Sequence, residues 1–264
     1  MRAGLLGAGH IARALAEGWR GAPAEPGARP DLFVYDPVGE RAASLAAACD
    51  ARACGSPAEL AAACDVVVLA MRPTDVAGAL AALGPALGET AVVSVAAAVP
   101  LAALLDGLPA GARVARVMPN VAAAVGQGVF LFVRGTLSGR QAGEVADLFA
   151  LAGMVVEVAE EQFDAATAVA GCGPGFAALF VEALAEAGVA SGLGERLAGR
   201  LAIGGVAGAA ALVARDGDPV ALREAIATPG GMTAEGIEVL ETRDLRGALA
   251  AAVAAAVARA RRAP

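Results

Sequence analysis

A glycine-rich turn close to the start of the chain constrains its fold more than any other feature. Residues 2–6 form a short apolar run, residues 7–12 read GAGHIA, and apolar residues then recur at helical spacing. A strand, a tight turn and a helix in this order match the GxGxxG/A fingerprint of dinucleotide-binding folds. We predict that Gly7 permits the turn, Gly9 lets a diphosphate approach the backbone, and Ala12 lets helix and strand pack closely. An ordinary glycine-rich turn is the alternative.

Predicted strands and helices alternate over the first 159 residues. Continuous apolar runs such as residues 65–70 and 91–95 are typical of parallel strands buried on both faces. This alternation predicts a doubly wound α/β sheet of the Rossmann type, with its ligands bound at the carboxyl ends of the strands. The predicted strands are residues 2–6, 32–35, 65–70, 91–95, 113–117, a hairpin-like run at 129–133, and 154–158.

The chain changes character near residue 159. No strand pattern follows, and helices are predicted over residues 161–169, 176–190, 195–215, 219–227, 233–241 and 244–261. We therefore predict a dinucleotide-binding domain at 1–159 and an all-helical domain at 160–264. About a hundred residues rich in alanine and glycine bury too little surface alone, so we expect this domain to dimerise. Packing against the first domain is the alternative.

Composition argues against several kinds of partner. A net charge of −7 disfavours nucleic acid and anionic membrane surfaces, and the apolar run at 201–214 is shorter than the roughly 18 residues of a membrane span. A single histidine, His10, and four cysteines without CxxC spacing predict no metal site, histidine-based triad or disulfide framework. Because no signal-peptide pattern follows Met1, we expect a cytoplasmic protein.

Asp36 ends the second predicted strand, where an acidic side chain binds the ribose 2′-hydroxyl of a dinucleotide. Its charge would repel a 2′-phosphate, which favours NADH, whereas Arg41 nearby could accommodate NADPH. A turn-forming Asp-Pro without ligand contact is the alternative.

Loops after three further strands reach the same predicted edge. They contain Met71 and Pro73, then Ala96 and Ala97, then Asn120, whose amide could orient a ligand or brace its loop. The residues predicted to contact the nicotinamide cofactor are Gly7, Gly9, His10, Ile11, Asp36, Met71, Pro73, Ala96 and Ala97.

A second glycine turn lies in the helical half. Residues 228–233 read TPGGMT and open a predicted helix, so that Gly230 and Gly231 leave backbone N–H groups free at a helix start, a receptor for a carboxylate. Thr228 and Thr233 flank the glycines. A simple capped turn, which needs only one hydroxyl, is the alternative.

With these motifs the chain resembles the pyrroline-5-carboxylate reductase family over essentially its full length. The similar segments are the GAG turn, LAMRP at 69–73, SVAAAVP at 94–100, RVMPN at 116–120, AGCGPGF at 170–176 and TPGGMT at 228–233. The resemblance implies a Rossmann domain with a helical dimerisation domain and homodimers that can assemble into decamers. It also implies NAD(P)H-dependent reduction of 1-pyrroline-5-carboxylate to L-proline, as in proline biosynthesis.

The resemblance also implies roles for residues of the second turn. Gly230 and Gly231 would hold the substrate carboxylate, Thr233 would hydrogen-bond the ring nitrogen as the catalytic residue, and Thr228 would supply a second hydroxyl. The predicted substrate site is completed by Met232, Asn120 and Cys172.

Some positions depart from the family pattern. His10 replaces an asparagine, Cys172 a serine, Met232 a small residue, and Val121-Ala122 a Thr-Pro pair. Two alternative functions therefore stay open, namely reduction of a different cyclic imine acid and a non-catalytic dinucleotide-binding dimer.

Overall fold

The computed structural model describes residues 1–23 and 29–262 and contains one eight-stranded sheet with the order β3-β2-β1-β4-β5-β6-β7-β8. Neighbouring strands are parallel except β6 and β7, so β7 and β8 run against the other six. This confirms the predicted doubly wound sheet. The strands are β1 (Arg2–Leu6), β2 (Asp31–Tyr35), β3 (Arg52–Ala53), β4 (Val66–Leu69), β5 (Ala91–Ser94), β6 (Val114–Met118), β7 (Gly128–Val133) and β8 (Gly153–Glu157).

Helices cover both faces of this sheet. One face carries a core that includes Leu15, Trp19 and Phe149, and the other carries a core that includes Leu60 and Leu80. Because both faces are covered, β4, β5 and β6 are buried throughout, which explains the continuous apolar sequence of β4. The helices are α1 (His10–Gly21), α2 (Gly39–Cys49), α3 (Pro57–Ala63), α4 (Pro73–Leu83), α5 (Leu101–Asp106), α6 (Gly139–Ala150) and α7 (Phe163–Ala170).

The start of α3 has only half of a capping box. Residues 56–59 read SPAE, which matches the capping-box pattern, and the Ser56 hydroxyl accepts a hydrogen bond from the Glu59 N–H. The Glu59 carboxylate, however, accepts from the N–H of Gly55 rather than from that of Ser56. The complete reciprocal box occurs at Ser138, which caps α6.

The second compact unit, residues 173–256, is entirely helical as predicted. Of its residues, all of which the structure describes, only Ala198 and Ala202 are buried. Many of its large apolar side chains are exposed in the single chain. Its helices are α8 (Gly173–Ala190), α9 (Glu195–Asp216), α10 (Pro219–Ile226), α11 (Met232–Thr242) and most of α12 (Leu245–Arg261).

The change in packing comes later than the change in secondary structure. The first compact unit comprises residues 1–172 and 257–264, whereas strand patterns end near residue 159. The physical reason is α7, whose Phe163 lies in a buried cluster with Met118, Leu131 and Val133 of the sheet. Helix α7 therefore packs with the α/β unit although it follows the last strand.

Two helical segments are long and apolar enough to cross a membrane by length and composition alone. They are residues 160–190 and Glu195–Asp216. The sequence estimate that the run at 201–214 is too short is thus corrected, because glycine and alanine extend the apolar character of α9 beyond that run.

Candidate active site

The first glycine turn has the geometry that a dinucleotide diphosphate requires. Gly7 has φ +108°, and a Cβ at this position would collide with the carbonyl oxygen of Ala70. No atom lies within 4 Å of the position of a Cβ on Gly9, so the space above Gly9 is open. Gly9 caps α1 without a side-chain hydrogen bond, which leaves the first N–H groups of α1 available to a phosphate.

Asp36 lies at the end of β2 with only 9% of its surface exposed. Its Oδ2 accepts a hydrogen bond from the N–H of Ala8 at 2.9 Å, and its Oδ1 accepts from the N–H of Val38 at 2.9 Å. The carboxylate therefore holds the glycine turn against the loop after β2. A carboxylate offers about four acceptor sites, so capacity remains for ligand hydroxyls.

A cleft of about 830 Å³ joins the glycine turn, the end of β2 and the start of α4. Arg41 and Arg72 also line it, and Arg72 pairs with Asp75 at 3.0 Å. The predicted cofactor residues that the structure brings together here are Gly7, Gly9, His10, Ile11, Asp36 and Met71.

The remaining predicted cofactor residues lie around a different cavity. Pro73, the first residue of α4, and Ala97 line a cavity of about 310 Å³ beside the carboxyl ends of β4, β5 and β6. Ala96 is buried and lines neither space, and its N–H donates to the Ser94 hydroxyl at 3.3 Å. The residue after Ala97, Ala98, has φ +59° and turns the backbone at this edge.

The second cavity has a wall that the sequence analysis missed. Phe163, Asp164 and Thr167 of α7 line it together with Arg259 near the end of α12. In sequence these residues read as an ordinary helix, and no motif marks them. Only the packing of α7 on the sheet brings them to the carboxyl ends of the strands.

A partly buried ion pair holds α7 in this position. The Arg116 side chain on β6 is 5% exposed, donates to Glu160 Oε1 at 2.5 Å, and stacks 3.9 Å from the ring centroid of Phe163. The same Glu160 oxygen accepts from the N–H of Leu101, the first residue of α5, at 3.0 Å. One carboxylate thus connects the sheet, α5 and the segment leading into α7.

Asn120 is buried at the end of β6, and its hydrogen bonds are internal. Its Nδ2 donates to the carbonyl of Ala170 at 2.9 Å, and its Oδ1 accepts from the N–H groups of Ala122 and Val129. Of the two roles left open from the sequence, bracing of the loop is thus present in the structure. Contact with substrate stays a prediction.

The second glycine turn lies in the helical unit and also opens a helix. Gly230 has φ +73°, the Gly231 N–H donates to the carbonyl of Thr228 at 2.9 Å, and Gly231 caps α11 without a side-chain hydrogen bond. A Cβ on Gly231 would lie 2.6 Å from the Thr228 hydroxyl oxygen. Met232 is 94% exposed.

Cys172 belongs to the first compact unit and is the last residue before the helical unit begins. It is half-buried, and its N–H donates to the carbonyl of Thr167 at 3.2 Å.

Among the described residues no group of three or more histidine, cysteine or acidic side chains could hold a metal ion.

Two family models match the chain. The model described as pyrroline-5-carboxylate reductase dimerisation covers residues 160–263. The model described as NADP oxidoreductase, coenzyme F420-dependent, covers residues 2–98. The first match begins close to the change in secondary structure at residue 159, and the second spans the glycine turn and the first strands.

Known pyrroline-5-carboxylate reductases are similar to this protein over nearly the whole chain. The pyrroline-5-carboxylate reductase of Synechocystis sp. (strain ATCC 27184 / PCC 6803 / Kazusa) is 33% identical over 97% of this chain and 96% of its own length. That of Mycobacterium tuberculosis (strain ATCC 25618 / H37Rv) is 36% identical over 98% and 95%.

Solved structures agree with this result. A pyrroline-5-carboxylate reductase from Coxiella burnetii superposes with a TM-score of 0.90 at 29% identity, covering 98% of this chain and 97% of the other. The Plasmodium falciparum pyrroline carboxylate reductase with NADP bound superposes at 0.86, with the same identity and coverage. The resemblance carried by the sequence motifs is thus confirmed, and the chain belongs to the pyrroline-5-carboxylate reductase family.

Proposed function

We propose that this protein reduces the C=N bond of 1-pyrroline-5-carboxylate to give L-proline, with a nicotinamide cofactor as the reductant. The observation that carries this function is the presence of two open, glycine-built helix starts in a member of this family. One precedes α1 and suits a diphosphate, and the other precedes α11 and suits a carboxylate.

The first unit provides the cofactor site. Gly7 sets the turn, Gly9 leaves room for the diphosphate, and the free N–H groups at the start of α1 bind its charge. The reduced nicotinamide supplies the hydride when it is bound. The other residues assigned to cofactor contact are His10, Ile11, Asp36, Met71, Pro73, Ala96 and Ala97.

The turn at 228–233 provides the substrate contacts. Gly230 and Gly231 hold the carboxylate on backbone N–H groups, and the Thr233 hydroxyl hydrogen-bonds the ring nitrogen as its charge changes during reduction. Thr228 supplies a second hydroxyl, and Met232, Asn120 and Cys172 complete the assignment. Because an iminium carbon is already electrophilic, orientation and exclusion of water account for most of the acceleration.

The cofactor preference follows from Asp36. Its carboxylate borders the cleft next to the loop after β2 and accepts hydrogen bonds from the backbone N–H groups of Ala8 and Val38, so a 2′-phosphate bound there would meet its negative charge. We therefore assign NADH as the preferred cofactor. Replacing Asp36 by asparagine keeps one acceptor oxygen and removes the charge, and should shift kcat/KM toward NADPH by about tenfold.

Arg41 provides the matched control for this preference. It lines the same cleft from α2, and Arg41→Gln should leave kcat/KM for NADH unchanged. Arg41 would instead be the 2′-phosphate ligand if wild-type enzyme preferred NADPH and Arg41→Gln abolished that preference.

The assembly and location are part of the proposal. The exposed apolar side chains of α8 and α9 and the match to a dimerisation family support a homodimer, which could combine into a decamer. We assign the protein to the cytoplasm as a soluble enzyme without nucleic-acid or membrane partners. The net charge of −7 disfavours nucleic acid and anionic membrane surfaces. In a dimer, α8 and α9 of the two copies would cover each other's exposed apolar side chains and keep them from water.

The deciding experiment is steady-state oxidation of NADH and NADPH with 1-pyrroline-5-carboxylate, beside a six-membered cyclic imine acid. We expect turnover with the five-membered substrate and at least tenfold lower kcat/KM with the six-membered one. The reverse order would assign a different imine, and cofactor binding without oxidation by either acid would indicate a non-catalytic protein.

Thr233→Ala tests the assigned role of the hydroxyl. Removing a hydrogen bond that strengthens as the nitrogen changes charge should lower kcat about tenfold. Cofactor affinity, measured by fluorescence titration, should stay within twofold of wild type. Thr233→Ser, which keeps the hydroxyl, should recover most of kcat. Unchanged turnover in Thr233→Ala would remove this assignment.

A further inference from the structure

A threonine beside the cavity of about 310 Å³ has no role so far. Thr167 lines this cavity, and its hydroxyl oxygen is buried without a hydrogen-bond partner in the described part of the chain. A threonine inside a helix ordinarily bonds its hydroxyl back to the carbonyl one turn earlier. A buried hydroxyl that makes no such bond is unfavourable, so its retention calls for a partner from outside the chain.

The position of the cavity indicates what that partner is. In a doubly wound sheet the dinucleotide crosses the edge at the switch point, here between β1 and β4, where the strand order reverses. The larger cleft lies beside β1 and β2, on the side of the glycine turn and Asp36. The smaller cavity lies beside the ends of β4, β5 and β6, where the second half of the cofactor, its nicotinamide, belongs.

The chemistry of a hydroxyl suits the group that a nicotinamide carries. A threonine hydroxyl both donates and accepts, and the carboxamide of nicotinamide has a carbonyl oxygen and an NH₂ group. The apolar wall, formed by Pro73, Met118 and Phe163, fits a flat ring. We propose that Thr167 is a cofactor-positioning residue whose hydroxyl hydrogen-bonds the carboxamide and so fixes the orientation of the nicotinamide ring. This inference rests on the proposed function, because it assigns a residue to the same cofactor site.

The position of Thr167 is fixed by the contacts that hold α7 on the sheet. The ion pair between the buried Arg116 and the partly exposed Glu160, together with the stacking of Arg116 on Phe163, holds the start of α7 on the sheet. Thr167 lies one turn after Phe163 on that helix. A hydroxyl on an anchored helix has little freedom, which suits a group that sets a ring orientation.

The test compares two ligands that differ in the nicotinamide. ADP-ribose contains every part of NADH except the nicotinamide. The Kd of ADP-ribose divided by the Kd of NADH therefore reports the binding gained from the nicotinamide. NADPH and 2′-phospho-ADP-ribose form an equivalent pair, which makes the test independent of the 2′-phosphate preference. Isothermal titration is carried out on the full-length protein, on Thr167→Val, which has nearly the same shape, and on Thr167→Ser, which keeps the hydroxyl.

We expect Thr167→Val to reduce that ratio about fivefold, with ADP-ribose affinity unchanged, and Thr167→Ser to stay within twofold of wild type. Thr90→Val serves as the control for loss of a buried hydroxyl elsewhere. The Thr90 hydroxyl donates to the carbonyls of Ala61 and Cys64 away from the cofactor cleft, so this variant should lower Tm and leave the ratio unchanged.

Two outcomes would overturn the assignment. An unchanged ratio in Thr167→Val would show that the hydroxyl has no bond to the nicotinamide, and an equal loss of ADP-ribose affinity would show a purely structural role. These results are separable from failure of the proposed function. Absence of imine reduction in a protein that still shows the Thr167 effect would refute the reaction and keep the positioning role.

Discussion

The two compact units of this chain bury their apolar residues in different ways. The α/β unit places Leu15, Trp19 and Phe149 at zero exposure within its own cores, so its folding is self-contained. The helical unit exposes Leu201 and most of its other large apolar side chains, and buries only Ala198 and Ala202. The comparison teaches that the first unit is stabilised from inside, whereas the second depends on surface that another copy of the chain can cover.

The largest effect should come from breaking that covering. Leu201 on α9 is 56% exposed in the single chain, and Leu201→Glu should weaken self-association at least about 100-fold, because a symmetric interface loses two buried leucines. Light scattering after size exclusion measures the change. Met154→Glu is the matched control, since Met154 is 59% exposed on β8 of the first unit. Equal assembly of Leu201→Glu and wild type would contradict the comparison.

A leucine truncation in each unit sharpens this comparison further. Leu15→Ala in the first unit should cost about 2–5 kcal/mol of unfolding free energy at any protein concentration. Leu249 on α12 is 48% exposed, and Leu249→Ala should cost less than about 1 kcal/mol where the chain is dissociated. Urea unfolding over a range of protein concentrations gives both values. Similar costs for the two variants at low concentration would mean that the helical unit has an interior of its own.

The two glycine turns repeat the contrast on a smaller scale. Gly7→Ala should cost at least about 2 kcal/mol, because the new Cβ meets the Ala70 carbonyl at a positive φ. Gly230 also has a positive φ, but no atom lies within 4 Å of its Cβ position. Gly230→Ala should therefore cost about 1 kcal/mol and raise KM for the imine acid. Thermal unfolding and steady-state kinetics separate the effects, and a larger loss of Tm in Gly230→Ala would reverse the contrast.

The last effect is absent near neutral pH and concerns a buried thiol of the first unit. Burial raises the pKa of Cys64 from about 9 to about 12. The unfolded chain then loses this proton at lower pH than the folded chain, so the contribution to stability is complete below pH 9 and is lost between pH 9 and 12. Relative to Cys64→Ala, the unfolding free energy of wild type should fall by about 1.4 kcal/mol per pH unit in that window. Parallel pH profiles from urea unfolding would exclude the effect.

Much of the fold could be predicted because local patterns and the global sheet agree. The β-branched runs of β4 and β5, the glycine turn before α1 and the cap of α6 each specify their element within a few residues. The strand β3 was missed because Arg52–Ala53 is short and exposed at the sheet edge, and carries no apolar pattern.

The backbone geometry of the glycine turns could be predicted from single residues, whereas the lining of the smaller cavity could not, because tertiary packing decides it. Gly7 and Gly230 adopt positive-φ conformations that other residues avoid, and the missing side chain of Gly9 leaves open space beside the backbone. Thr167 carries no such signal, because its place at the ligand edge depends on an ion pair between residues 44 positions apart, Arg116 and Glu160. The bracing bonds of Asn120 likewise come from three separate backbone segments.

The two hydrogen bonds accepted by Asp36 have a kinetic consequence. They keep the loop around Ala8 in one shape before any ligand arrives, so the conformational entropy of that loop is lost during folding and not during complex formation. The loop that receives the dinucleotide is therefore preorganised. Its association rate should then follow diffusion and charge, with no slow rearrangement phase in a stopped-flow trace.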